Sequence, residues 1–143
     1  MWFRASPAGF DRLINVWCFC FLMVRDFKGL KIWQKAMDLT ENIYRISGDF
    51  PKDEIYGLTS QIRRASVSIV SNIAEGCGKK TTKDFISFLH NALGSVKEVE
   101  CQLLIAGRLD YLNGEEVKSL GKEVNVLGGM IMGFINRLSE DLG

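Results

Sequence analysis

The chain has 143 residues, 47% of them apolar and 24% charged, with a net charge of +1. That is the balance of one globular domain, long enough to bury roughly 70% of its unfolded surface without covalent staples. No global field draws in a nucleic acid or a membrane, so any such partner must be met by local charge. Four cysteines, Cys18, Cys20, Cys77 and Cys101, show neither a CxxC nor a Cys/His zinc spacing. Reduced thiols in a cytoplasmic protein are expected.

Residues 1–24 look foreign to the rest of the chain. Residues 13–24, LINVWCFCFLMV, hold eleven apolar residues in twelve. A helix crossing a bilayer needs about 20. Arg4 and Arg12 precede the stretch in the manner of a secretory signal, but no small-x-small cleavage site comes after it. Three readings compete. One is a targeting segment, one is an extra element packed on the domain, and one is upstream sequence before a true start at Met23. The third is favoured, because helical periodicity begins abruptly afterwards. The expected division is an extra N-terminal segment over 1–24, mis-assigned or disordered, and a bundle domain over 25–143.

Four amphipathic segments make up the remainder. The first, about 28–47, spaces Ile32, Ala36, Leu39, Ile43 and Ile46 at alternating intervals of four and three. Gly48 stops it and Pro51 lies beyond. The second, about 53–75, places Ile55, Leu58, Ile62, Ala65, Ile69 and Ile73 on one face, with Asp53 as N-cap and Gly76 and Gly78 as its end. The third, capped by Thr81 or Thr82, runs to about 110 with Phe85, Leu89, Ala92, Val96, Val99, Leu103 and Ala106 in a seven-residue repeat. Asn113-Gly114 marks a turn. The fourth, about 115–140, repeats Val117, Leu120, Val124, Leu127, Ile131, Phe134 and Leu138. Stripes of this kind joined by short polar turns predict an all-α, up-down-up-down antiparallel four-helix bundle. Gly94, Gly121, Gly128, Gly129 and Gly133 fall inside these helices. Each costs up to about 1 kcal/mol relative to alanine. They reflect tolerated drift, close helix approach, or a kink at Gly128-Gly129.

The second segment contains QIRRASVSIVSNIAEG (61–76), which carries more than a core stripe. Val67, Val70 and Ala74, headed by Arg63, form a second stripe of small residues roughly 80–140° away on a helical wheel. A subunit interface would use such a stripe; a broad core face would too. Arg64, Ser68, Ser71 and Glu75 make a polar stripe. From Glu54 to Lys83 there are five cations (Arg63, Arg64, Lys79, Lys80 and Lys83) against two acids, a local charge of +3. From Asp84 to Asp110 two cations face four acids, and over the last segment three face five. Those five cations are therefore the candidate contacts for RNA phosphates, and repetition in an oligomer would multiply them.

Three stretches, DFKGLKIWQKAMDL (26–39), FPKDEIYGLTSQIRRASVSIVSNIAEG (50–76) and FLHNALGSVKEVE (88–100), closely resemble the four helix bundle protein family. Its members include the 23S-rRNA intervening-sequence proteins. The chain is also similar to accessory variability determinant proteins of diversity-generating retroelements. The resemblance covers about residues 26–140. The family usually begins just before its DFK-like residues, and this chain departs from that pattern. The resemblance implies a homopentameric ring of bundles and, for the retroelement relatives, a reverse-transcriptase-type ribonucleoprotein partner. Arg63 and Arg64 fall on the family's paired-arginine position. Asn72, Glu75 and Gly76 fall on its SNIAEG signature, which has a structural reading as caps or bonds to neighbouring helices.

Catalytic chemistry is not expected. His90 is the single histidine, and Ser66, Ser68 and Ser71 have no base nearby in sequence. There is no Glu-x-x-His pair for a di-iron bundle, and EGCGKKTTK lacks the P-loop spacing. Trp33, Phe85 and Phe88 are expected in the core. The resulting expectation is a non-enzymatic homo-oligomer without cofactor, metal, membrane or small-molecule substrate, which binds RNA or a ribonucleoprotein. The alternative is a structural or protein-interaction module without nucleic acid.

Overall fold

The computed structural model describes residues 26–143. The segment over 1–24, and with it Cys18 and Cys20, lies outside them. A 3-10 turn, Phe27–Gly29, leads into α1, Lys31–Ser47. A second 3-10 turn, Lys52–Glu54, precedes α2, Leu58–Cys77. Then come α3, Thr82–Arg108, and α4, Gly114–Glu140. There is no β-strand among the described residues.

Contacts between successive helices run in opposite directions. Thr40 Oγ1 reaches the Ser66 carbonyl while Arg63 reaches back to Ser47, so α1 and α2 are antiparallel. Ser68 meets Ser95, and Gly76 lies against Phe85, so α2 and α3 are antiparallel. Phe85 packs edge-on against Phe134 with ring centroids 5.7 Å apart, and Gly107 abuts Val117. Asn42 donates to Glu123 Oε2 at 2.9 Å across the α1–α4 seam. The result is the expected up-down-up-down bundle. The α1–α4 seam is the less closely packed one, with a groove of about 380 Å³ between Lys35, Asp38, Asn42, Lys122, Glu123 and Val126.

The apolar repeats fill the core. All seven stripe residues of α3 are buried, as are Ile32, Ala36, Leu39 and Ile43 of α1 and Ile62, Ala65, Ile69 and Ile73 of α2. Near the end of α4, Ile135 is buried and Phe134 only half-buried. A strict seven-residue repeat drifts about 20° per heptad against a straight helix, so the core position moves on by one residue. Trp33 is half-buried in edge contact with Phe27 at 5.1 Å, Phe85 is buried, and Phe88 is half-buried.

Two helix boundaries differ from expectation. Helix α2 does not begin at Asp53. After Pro51 the chain makes a 3-10 turn, and Glu54 Oε2 accepts the Leu58 N–H at 2.8 Å. The other carboxylate oxygen accepts from the Tyr111 hydroxyl at 3.0 Å, a bond that raises the tyrosine pKa above its usual value. Ile55, expected in the core, is therefore outside the helix and 58% exposed. Asn113-Gly114 is not the α3–α4 turn either. Asn113 caps α4 in a capping box with Glu116. The chain reverses at Asp110, whose φ of 59° is left-handed. Its neighbours close a Schellman motif: Tyr111 N–H donates to Ala106 O and Asp110 N–H to Gly107 O. Thr81 caps α3, as expected, by accepting the Asp84 N–H at 3.1 Å.

Gly76 does not end α2, which runs one residue further and is capped at Gly78. Gly76 is instead buried in the helix, where a methyl group would sit 2.6 Å from Phe85 Cδ2 and 3.0 Å from Phe88 Cβ. Among the five interior glycines singled out above, only Gly128 has a neighbour within 4 Å, Val96 at 3.5 Å. Helix α4 runs unbroken through Gly128-Gly129. Gly76→Ala should therefore destabilise the fold by about 1–3 kcal/mol, the cost of overpacking. Gly94→Ala, whose methyl meets open space, should stabilise it by up to about 1 kcal/mol. Urea unfolding of the two variants checks the opposite signs.

Burial pushes the Cys77 thiol up from 9.0 to about 11. Above pH 9 the unfolded chain ionises this thiol before the folded one does. Its contribution to stability is constant below pH 9 and is lost as the pH rises toward 11. Unfolding midpoints between pH 9 and 11 should fall more steeply for the wild type than for Cys77→Ala. In the folded protein a thiol reagent should label exposed Cys101 and spare Cys77.

Candidate functional site

The five cations expected to form one surface lie in two places. Arg63 and Arg64 are in the first third of α2; Lys79, Lys80 and Lys83 surround its far end and the start of α3. Thirteen helical residues separate Arg64 from the end of α2 at Cys77, roughly 20 Å at 1.5 Å per residue, and Lys80 lies beyond it. The structure thus does not gather the five into one patch.

Arg63 is committed to the fold. Its Nε donates to Ser47 Oγ at 2.7 Å and its Nη2 to the Tyr44 carbonyl at 3.3 Å. The guanidinium carbon lies 4.8 Å from the Tyr44 ring centroid. The last carbonyls of a helix lack partners within it, and a cation there also meets the negative end of the helix dipole. Arg63 of α2 therefore serves as a cap for the C-terminus of α1. Arg64, 100° further round, is exposed and forms no ion pair among the described residues.

The polar stripe splits in the same way. Asn72 Nδ2 donates to Ser68 O at 2.8 Å and to Ser68 Oγ at 3.1 Å. Ser68 Oγ lies 2.8 Å from Ser95 Oγ, and Ser95 donates to Asn91 O at 3.3 Å. The contacts form a chain from Asn72 through Ser68 and Ser95 to the α3 backbone, in which either serine can be the donor of the Ser68–Ser95 bond. Ser68 thus sits at the α2–α3 seam, while Asn72 bonds within its own helix and reaches α3 only through Ser68. Gly76 supplies the close approach already described. Glu75 stays exposed, with Oε1 3.7 Å from Lys79 Nζ. In the small-residue stripe Val70 and Ala74 are half-buried, Val70 against the core, and only Val67 is exposed, at 41%. Broad burial thus accounts for Val70, and the stripe does not stand free as a continuous apolar strip.

At the α2–α3 turn, Lys79 is held between Glu75 and the Phe88 ring, 4.5 Å from its centroid. Lys80 and Lys83 are exposed and unpaired among the described residues. Ser66 donates to Arg63 O and Ser68 belongs to the relay, so neither hydroxyl is set up as a nucleophile. His90 is exposed on α3. Among the described residues no cluster of three His, Cys, Asp or Glu side chains could hold a metal ion, and no helix is long and apolar enough to cross a membrane.

The helical wheel missed a further feature. Leu104 and Ile105 of α3 and Val126 of α4 are exposed, and Ile55 and Tyr56 project from the turn before α2. A signal was present in Leu103-Leu104-Ile105, because three consecutive apolar residues cannot all face one side of a helix.

Residues 28–133 match the family described as 23S rRNA-intervening sequence protein. This chain belongs to that family. A solved structure from Bacteroides thetaiotaomicron, described as a protein of unknown function from the S23 ribosomal protein family, is 23% identical. It aligns with a TM-score of 0.66 over 73% of this chain and 97% of its own. At that identity the likeness speaks for the shared fold alone. No curated protein matches the chain.

The two arginines should behave differently. Arg63→Met should lower stability by about 1.5–3 kcal/mol, the usual range for charged hydrogen bonds. Arg64→Met should stay within about 0.5 kcal/mol of the parent, as exposed surface changes do. Equilibrium denaturation measures both.

Proposed function

We propose that this intervening-sequence-family protein is a non-enzymatic module that binds structured RNA through the lysine turn between α2 and α3. The observation that carries this reading is the pair Lys80 and Lys83, both exposed and without a carboxylate partner among the described residues. Lys79 joins them with its charge partly offset by Glu75. Arg64 adds a separate contact along α2, whereas Arg63 acts by holding α1. The family's description, which refers to 23S rRNA, supports RNA as the nucleic acid.

Ammonium groups on a turn meet phosphates as point charges and read no base edges. Binding should therefore depend on RNA shape and on salt more than on sequence. Two or three phosphate contacts per chain give weak binding, and several chains on one RNA would raise it through effective concentration. An assembly beside a reverse-transcriptase-type partner is compatible with this surface. The competing reading, a protein-interaction module without nucleic acid, draws its support from exposed Tyr56, Leu104 and Ile105.

Titrating a structured RNA from low to moderate salt separates the two. For Lys80→Ala/Lys83→Ala the slope of log K against log salt should be shallower by roughly 1.4–1.8, the loss of two phosphate contacts. The fold should be unaffected. Absence of RNA binding at low salt, or a double variant that binds like the parent, would leave the interaction module as the function.

A further inference from the structure

Helices α2 and α3 carry their free cations at the two ends of one seam and none between. Lys80 and Lys83 stand at the turn, and Arg64 stands far along α2, all exposed and without an ion-pair partner among the described residues. Roughly 20 Å of helix separates Arg64 from the end of α2. The pairs Ser68–Ser95 and Gly76–Phe88 fix the register of the stretch between. Ser71 of α2 and Ser87 and Asn91 of α3 line its outer edge. All three are exposed, and among the described residues none of their side chains bonds another protein group. Gly94, a turn beyond Asn91, is exposed too, and a methyl group added there would meet nothing within 4 Å. The middle of the seam is therefore open, low and able to donate and accept hydrogen bonds without charge.

Three carboxylates share this face. Glu75 is paired with Lys79, and Asp84 takes the Thr81 hydroxyl at 2.7 Å inside the α3 cap. Glu98 stands about level with Arg64 and has no ion pair among the described residues. It trims the attraction there, so the lysine turn is the stronger of the two ends. A single strand laid along the seam would bring a run of phosphates past its middle, which offers them no cation. A duplex laid across it presents phosphate ridges at two separated places with a groove between. In A-form RNA that groove is the wide, shallow minor groove, lined with 2′-hydroxyls. The minor groove of B-DNA is narrower and has no such hydroxyl.

We infer, resting on the assignment of the lysine turn to RNA, that the α2–α3 seam seats the minor groove of an A-form RNA duplex. Lys80 and Lys83 meet phosphates of one strand and Arg64 a phosphate of the other. Ser71, Ser87 and Asn91 hydrogen-bond the 2′-hydroxyls between them, and Gly94 leaves room for the sugar edge. The ligand class is double-stranded RNA, selected over a DNA duplex by its hydroxyls and its shape rather than by its bases.

Titrating the full chain with a hairpin RNA, the DNA duplex of the same stem sequence and the unpaired RNA strand tests the seam. The hairpin should bind about tenfold more tightly than the DNA duplex, the worth of one or two hydrogen bonds. Ser87→Ala/Asn91→Ala should remove most of that preference and leave the salt slope unchanged, because neither residue meets a phosphate. Arg64→Ala should make the slope on the hairpin shallower by roughly 0.9, one phosphate contact, and leave that on the unpaired strand unchanged. Every substituted side chain is exposed, so circular dichroism should show the helices intact. Equal binding of the RNA and DNA duplexes, a Ser87→Ala/Asn91→Ala variant with the parent's preference, or an Arg64→Ala slope equal to the parent's would each overturn the seam and leave the lysine turn standing. If Lys80→Ala/Lys83→Ala also binds like the parent, the RNA reading falls together with it.

Discussion

Helix α2 has no bulk on the side it turns toward α3. Ser68, Asn72 and Gly76 succeed one another there at intervals of four, opposite Ser95 and the two phenylalanines Phe85 and Phe88. Small residues let the two backbones come close, and closeness leaves no room for water between the hydroxyls. The polar groups must then satisfy one another, which they do in a chain from Asn72 to the α3 backbone. Each such bond contributes about 1 kcal/mol, but leaving one unmade costs more. A slip of one helical turn would break the relay and drive Phe85 into a side chain. The register of α2 against α3 is fixed by that, and with it the position of the lysine turn.

On its other side α2 holds α1 by different means. Thr40 reaches the Ser66 carbonyl, and Arg63 covers the end of α1. The pair Arg63-Arg64 therefore divides between two tasks, although the residues are adjacent and chemically alike. A rotation of 100° along the helix is enough to move one guanidinium from solvent to a neighbour's carbonyls. Helix α2 is thus tied on both flanks by polar contacts laid over an apolar core, while α4 meets α1 across a looser seam.

The four helices were legible because apolar periodicity reports burial directly. It placed every core residue of α3 and most of those in α1 and α2. It failed where a contact depends on a partner remote in the chain. Asp53 looks like a cap, yet Glu54 does that work, because its carboxylate is held by Tyr111 from another loop. Asn113-Gly114 looks like a turn, yet Asp110 takes the left-handed position and leaves Asn113 to open α4. Ser68 looks solvated on a wheel, which cannot show that Ser95 of α3 lies 2.8 Å away. Charge counted along the chain likewise merged Arg63 and Arg64 with three lysines a helix-length away. The exposure of Ile55 and Tyr56 was hidden for the same reason, since it depends on how the turn before α2 finally packs.

The two ends of the rod are unequally fastened. At one end the α1–α2 and α3–α4 loops are joined by Phe50 packed on Tyr111 and by the Glu54–Tyr111 bond. At the other, the short α2–α3 turn links neighbouring helices, and Phe85 packs on Phe134 between α3 and α4. The bundle resembles a clothes-peg whose spring is Tyr111. Thermal opening should begin at the jaws, between the first turn of α1 and the last of α4, and die away toward the hinge. The lysine turn lies at the mouth, while the end that carries Tyr56 is the one the hinge holds.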